Sequence, residues 1–269
     1  MDCSLFFVKN FVNQGRFKIC FAILILLSIS GMAMGYAANY QNDLMFVRSA
    51  ADNFLLPSTD CSVVRMLFCF LAVLIASSLC TGYGREDGLF PMLRMDRRRY
   101  IYGNAVLSAA MTAFAFAAAL GINQLLCFAA FPLWGEDNRW GMAEYDLLQN
   151  AHPECLFDRW NVQNPYVYNL LYILIISILA GGIAFLTCGL GCTKLLGRLK
   201  PVKLSAVVFV SFMVLFLLSE LLHIPAISIL SYIEMGHAVS ISGYIAFIGC
   251  IYGLGLFLII RGRRSYEYI

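Results

Sequence analysis

Six separate apolar stretches, each close to the length needed to cross a bilayer, constrain this 269-residue chain more than any other feature. Their approximate limits are 19–38, 62–82, 103–131, 165–192, 203–223 and 241–260. A helix rises about 1.5 Å per residue, so about 20 mostly apolar residues span roughly 30 Å of hydrocarbon. The bilayer core offers no water to hydrogen-bond the backbone. A helix satisfies its own N–H and C=O groups, whereas a barrel needs short strands that alternate apolar and polar residues. The runs here are long and do not alternate. The expectation is therefore an all-α membrane protein, one transmembrane domain over residues 1–269 with six spanning helices. A mean hydropathy of +0.76 with 13% charged residues agrees with this, since soluble domains carry about 25% charged residues.

Basic residues set the orientation. With the N-terminus in the cytoplasm, fifteen of the nineteen Lys and Arg fall on the inner side, at both ends and in the loops after the second and fourth runs. Only Arg48, Arg65, Arg139 and Arg159 fall on or near the outer side. Both termini are thus expected in the cytoplasm and the chain in a plasma membrane, a bacterial one on the resemblance described below. The net charge of +3 follows from this topology and gives no sign of nucleic-acid binding.

Residues 4–18 interleave Leu5, Phe6, Val8, Phe11, Val12 and Phe17 with Lys9, Asn10, Asn13, Gln14, Arg16 and Lys18. This pattern suits an interfacial amphipathic helix lying against membrane lipid, or equally a frayed terminus. The apolar core at 19–35 is longer than the usual 7–15 residues of a cleavable signal, so the first run reads as a retained helix. The third run exceeds the hydrocarbon thickness; it either tilts and projects, or breaks near Gly121. The segment 132–164 is acidic and carries Trp134, Trp140 and Trp160, which suit the headgroup level. The connection 224–240 is half apolar and fits a short element dipping back among the helices, provided that protein buries its backbone. Gly31 with Gly35, Gly181 with Gly182, Gly189 with Gly191, and Gly249 with Gly253 would allow close helix contact.

The ten cysteines show no metal-like spacing. Cys69, Cys80, Cys127, Cys188, Cys192 and Cys250 lie in apolar runs, where cysteine is ordinarily a small core residue. Cys61 and Cys155 fall in the two outer loops and are candidates for a disulfide in an oxidising compartment. There is no phosphate-binding loop, zinc-protease motif or nucleophile elbow. Two E-x-x-H pairs, Glu220 with His223 and Glu234 with His237, have the spacing of di-iron ligands, but no other run supplies the further carboxylates such a site needs. The chain is therefore not expected to be an enzyme or to hold a cofactor. Away from the helix ends the only ionisable residues in the runs are Arg65 and Glu220, both about one turn from the outer surface. They are candidates for an intramembrane ion pair if the second and fifth helices are neighbours, the alternative being that Arg65 snorkels outward.

The most charged stretch is 84-GREDGLFPMLRMDRRRYIYGN-104, which fills the first cytoplasmic loop. Its arginines obey the positive-inside rule. That rule does not explain Leu89, Phe90 and Leu93, which add an apolar face to a short charged segment.

Together these features resemble the ABC-2 type permeases, the membrane subunits of bacterial ATP-driven transporters. The resemblance covers nearly the whole chain. It rests on an amphipathic N-terminal segment, six spans with both ends inside, a charged helical first loop, and a half-apolar outer segment before the last span. In the loop, the family's acidic residue, glycine, apolar stretch, basic residues and second glycine look like Glu86, Gly88, Leu89, Phe90, Met92 and Leu93, then Arg97, Arg98, Arg99 and Gly103; Arg94 is expected to join the ATPase contact. The interval from glutamate to glycine is short, and Asp96 stands where a proline often precedes the basic residues.

The resemblance implies that residues 83–102 form a coupling helix docked on a separate ATP-binding cassette ATPase. It also implies pairing with a second permease subunit, as homo- or heterodimer, and a substrate such as an amphipathic peptide, lipid or drug. The competing reading is a non-transporting six-helix accessory or sensor protein whose acidic outer segment binds a ligand.

Overall fold

The structure, a computed structural model, describes residues 12–41, 47, 49–54, 61–80, 97–133, 157, 160, 164–193, 196, 197, 199–234 and 240–266. Within them lie six helices: α1 Gly15–Asn39, α2 Ser62–Cys80, α3 Arg97–Ala130, α4 Pro165–Gly191, α5 Pro201–Leu222 and α6 Ile241–Tyr266. Two 3₁₀ turns, Pro225–Ile227 and Leu230–Tyr232, precede α6. Five of the helices are long and apolar enough to cross a membrane. The chain is accordingly a multi-pass, all-helical membrane protein. The sixth helix, α2, is apolar over the shorter stretch Ser62–Ser78.

The helix boundaries have local causes. Prolines at the first position open α4 and α5, where the missing N–H leaves no intrahelical bond unmade. His223 ends α5 in the left-handed conformation, φ 55° and ψ 36°, with its N–H turned back to the carbonyl of Glu220. Gln14 is extended at φ −67° and ψ 122°, so the chain bends just before Gly15. Of residues 4–18, expected in a separate interfacial helix, 12–13 are helical and set off from α1 by Gln14, 15–18 belong to α1, and 4–11 lie outside the described residues. The third run does not break at Gly121: α3 is continuous for 34 residues. One glycine lowers helix stability by about 1 kcal/mol without ending a helix held by its neighbours. At 1.5 Å per residue α3 is ~51 Å long and extends beyond a hydrocarbon core.

Helix α4 forms the centre. In its most apolar stretch 67% of the residues are buried, against 17% for α6 and 22% for α1. It packs on α2, α3 and α6, and α1 completes the group by lying on α2 and α3. Glycines set the closest approaches. A Cβ at Gly189 would lie 2.7 Å from the carbonyl oxygen of Gly255, and one at Gly255 would lie 2.7 Å from the Phe185 ring. Gly262 sits directly on the Cys192 carbonyl. Gly181 and Gly182 accommodate Tyr252 and Ile251, and Tyr252 donates a hydrogen bond of 3.2 Å to the Ile178 carbonyl. The expected pair Gly249 and Gly253 makes no such contact; both are exposed, and nothing lies within 4 Å of a Cβ built on either.

Candidate functional site

The bundle has two ends. At one, α1, α3 and α5 finish while α2, α4 and α6 begin; this is the Arg65 end. The other, the Arg97 end, carries the start of α3. Most of the first charged loop, with Glu86, Gly88, Leu89, Phe90, Leu93 and Arg94, lies outside the described residues. Arg97, Arg98 and Arg99 form the first turn of α3. Behind them Tyr100 and Ile101 are buried, so the helix is anchored in the core from its second turn. Near this end Ser205 of α5 donates a 2.6 Å hydrogen bond to Ser77 of α2, both buried.

Chemistry concentrates at the Arg65 end. Beyond α1, residues 49–54 form a tight turn. The N–H groups of Asp52 and Asn53 donate to the Ser49 carbonyl at 3.1 Å, as does the Asn53 side-chain amide, and Ser49 donates to the Asp52 carboxylate at 2.8 Å. The turn is inserted between the helices. Ala50 and Phe54 are fully buried, and Phe54 meets the ring of Tyr172 edge-on at 6.3 Å. Amides from α3 and α4 hold it: Asn169 donates to the Ala51 carbonyl at 3.0 Å and to the Gln124 side-chain oxygen at 2.8 Å, and Gln124 donates to the Ala50 carbonyl at 3.4 Å. The Ala50 N–H reaches Pro132 at 2.9 Å. On the α1 side, a Cβ at Gly35 would lie 2.8 Å from the Asn53 side-chain oxygen, so Gly35 makes room for the turn. The result is a plug whose backbone groups are satisfied by buried amides, as irregular backbone among apolar helices requires.

Beside the plug lies the segment 224–234. Ser228 to Ile233 are all buried. Tyr172 of α4 donates to the Ile233 carbonyl. Tyr232 donates to the Ala226 carbonyl at 2.8 Å and stacks on Phe247 of α6 at 4.8 Å. Burial pushes the Tyr232 phenol up to about 12, so it is a neutral donor at physiological pH.

Arg65 pairs with Glu234 across this segment and also donates to Ser62 at 3.0 Å. The two side chains are 11% and 25% exposed. The acid that meets Arg65 is thus Glu234, not the expected Glu220. Helices α2 and α5 are neighbours, as that pairing required. Glu220, however, stands on the exposed side of α5, next to the buried Ser219. Because Glu234 is committed to Arg65, the second E-x-x-H pair loses its carboxylate, and His237 lies outside the described residues. His223 is exposed, and its Nδ1 donates locally to the Glu220 carbonyl at 2.8 Å. Among the described residues no three metal-ligating side chains come together.

Cys61 is an exposed free thiol, and Cys155, its expected disulfide partner, lies outside the described residues. The Cys61 carbonyl accepts the Val64 and Arg65 N–H groups and starts α2. Cys69, Cys127 and Cys192 are buried thiols, as expected of small core residues, whereas Cys188 is disulfide-bonded.

The ion pair carries a measurable coupling. Arg65→Met strands the Glu234 carboxylate, and Glu234→Gln strands the guanidinium. Each change is expected to lower stability in detergent by about 1–2 kcal/mol, discounted for the partial exposure of both groups. The double variant should lose clearly less than the sum, by chemical unfolding in mixed micelles; additive losses would show that the contact contributes nothing.

The plug residues escaped the sequence reading. Gln124 and Asn169 are carboxamides inside apolar runs, and a search restricted to ionisable groups passes over them. Their presence at membrane depth was the available signal. Comparison with protein-family models, curated proteins and solved structures gives no match for this chain.

Proposed function

We propose that this chain is the membrane-spanning permease subunit of an ATP-driven transporter of the ABC-2 type. In this reading α2 is a sixth span, both termini are cytoplasmic, and the Arg65 end faces outward. The charged first loop, residues 83–102, docks on a separate ATP-binding cassette ATPase. Leu89, Phe90 and Leu93 supply a buried apolar anchor, and Arg94, Arg97, Arg98 and Arg99 supply a charged rim. Closure of the ATPase on ATP would move α2 and α3 together and shift the bundle between inward-open and outward-open states. A second permease subunit completes the transporter, and the cargo is an amphipathic peptide, lipid or drug.

The observation that carries this reading is the segment 224–234. It is an irregular element with two 3₁₀ turns before the last helix, buried over 228–233 and packed on α2, α4, α5 and α6, and it gives physical form to the half-apolar segment on which the resemblance partly rests. The rigid anchoring of α3 just behind its arginines is also what a lever needs.

Co-purification tests the proposal. The tagged chain, expressed with the ATPase encoded nearest to it, should retain that ATPase in mild detergent. Leu93→Asp should reduce the retained ATPase by about tenfold, because a charge would be forced into an apolar contact, while the elution profile of the chain stays unchanged. An ATPase held equally by wild type and variant would remove the coupling role from this loop. Absence of any ATPase would favour the accessory or sensor reading.

A further inference from the structure

We infer that the turn at 49–54 and the segment 224–234 are the two halves of one gate at the Arg65 end, coupled through the side chain of Tyr172. Tyr172 is buried in the bundle and touches both halves. Its ring meets Phe54, at the end of the turn, edge-on at 6.3 Å, and its hydroxyl donates to the Ile233 carbonyl of the other segment. Each half has a further tie next to that contact. Asn169, three residues before Tyr172 on the same face of α4, donates to the Ala51 carbonyl at 3.0 Å. Glu234, the neighbour of Ile233, pairs with Arg65 of α2.

The two halves differ from the helices around them in how they are held. A helix closes its own backbone hydrogen bonds, whereas these segments borrow partners from other elements. Gln124 and Asn169 meet the Ala50 and Ala51 carbonyls, and Tyr172 meets the Ile233 carbonyl. Segments held by a few such ties open at a lower free energy than the packed helices do. Irregular backbone at membrane depth is tolerated where protein buries it or where it lines a water-filled cavity. Opening would take both halves from the first condition to the second. It would bare three backbone carbonyls and the Gln124 and Asn169 amides, which together make a neutral polar wall that water wets.

Tyr172 makes the halves open together. When 228–234 lifts away, the buried phenol is left without its acceptor, an unfavourable state that it relieves by turning toward the opening. The ring then leaves the edge-on contact that closes over Phe54. When the turn withdraws first, Phe54 leaves a void beside the ring, and the phenol loses the wall that aims it at Ile233. Each half unseats the other, so the coupling is reciprocal. The coupling does not rest on the transporter reading; within that reading the gate closes the outer side.

Amide hydrogen exchange, followed by mass spectrometry on the full chain in mixed micelles, reads both halves at once. Labelling times are those at which α3 and α4 of the wild type stay protected. Glu234→Gln takes the charge from the tie to Arg65 and should speed exchange at 228–233 by about fivefold, the worth of one hydrogen bond. Because the halves open together, exchange at 49–54 should rise by the same factor while α3 and α4 remain protected. Tyr172→Phe keeps the ring and removes the hydroxyl; in that background Glu234→Gln should act on 228–233 alone. Unchanged exchange at either half in Glu234→Gln would overturn the inference. So would an effect at 49–54 that survives Tyr172→Phe, or one that comes only with lost protection in α3 and α4. If Glu234→Gln fails to fold, Arg65→Gln carries the same measurement with the same outcomes.

Discussion

Gly189→Ala is expected to destabilise the bundle by about 2–3 kcal/mol, the cost of overpacking a contact that cannot yield. The added Cβ would lie 2.7 Å from the Gly255 carbonyl oxygen and 3.2 Å from the Gly255 Cα. Those atoms are backbone on a facing helix, so no side chain can rotate aside; α4 and α6 must separate. Separation would also loosen the neighbouring seat of Gly262 on the Cys192 carbonyl. Gly253→Ala, two residues before Gly255 on α6, is the control. Nothing lies within 4 Å of its Cβ, so the change should be neutral or stabilise by up to about 1 kcal/mol through helix propensity. Chemical unfolding of both variants in mixed micelles measures the difference. Equal effects at the two positions would mean that close backbone approach does not hold α4 to α6.

The second large effect belongs to Asn169. Replacing it with Leu removes the donor to the Ala51 carbonyl and the donor to the Gln124 side-chain oxygen, leaving two buried acceptors unpaired. At about 1–3 kcal/mol for each stranded group, a loss of about 3 kcal/mol is expected. The damage should be local first: the turn at 49–54 should release, giving faster amide hydrogen exchange there than in α4. Combining Asn169→Leu with Gln124→Leu should cost less than the sum of the single changes, because the two amides then no longer leave each other unsatisfied. Unchanged exchange at 49–54 would show that the amides do not hold the turn.

These two sites illustrate why part of the molecule could be read directly and part could not. Pro165 and Pro201 mark the starts of α4 and α5 because proline at the first helical position acts within its own turn. Nothing distant is needed to see it. Of the two readings of the third run, a projecting helix or a break near Gly121, the structure takes the first, because a single glycine weighs little against the helix on both sides of it. The expected pairing of Arg65 with Glu220 failed for a different reason. Helix α5 is apolar nearly all round, so its sequence does not say which side faces the core. With Ser219 buried, the next residue points about 100° away and Glu220 meets the surroundings instead of Arg65. The glycines repeat the lesson. Gly249 and Gly253 have the spacing of a contact pair but the wrong phase, and Gly255 and Gly262 make the contacts instead.

The plug at 49–54 was missed although its parts were visible. Ser49, Asp52 and Asn53 are turn formers, and Ala50, Ala51 and Phe54 are apolar enough to bury. Only the folded bundle shows that Gly35, Gln124 and Asn169 leave a place for that turn. The sequence by itself determined that this chain builds membrane helices, where most of them begin and end, and which loops carry the charge, because length, hydropathy and proline act locally. The tertiary structure decided which acid meets Arg65, which glycines touch, and which buried amides hold the turn at 49–54. Those outcomes depend on the rotation of each helix about its own axis, and helices that are apolar on every side do not encode that rotation until they pack.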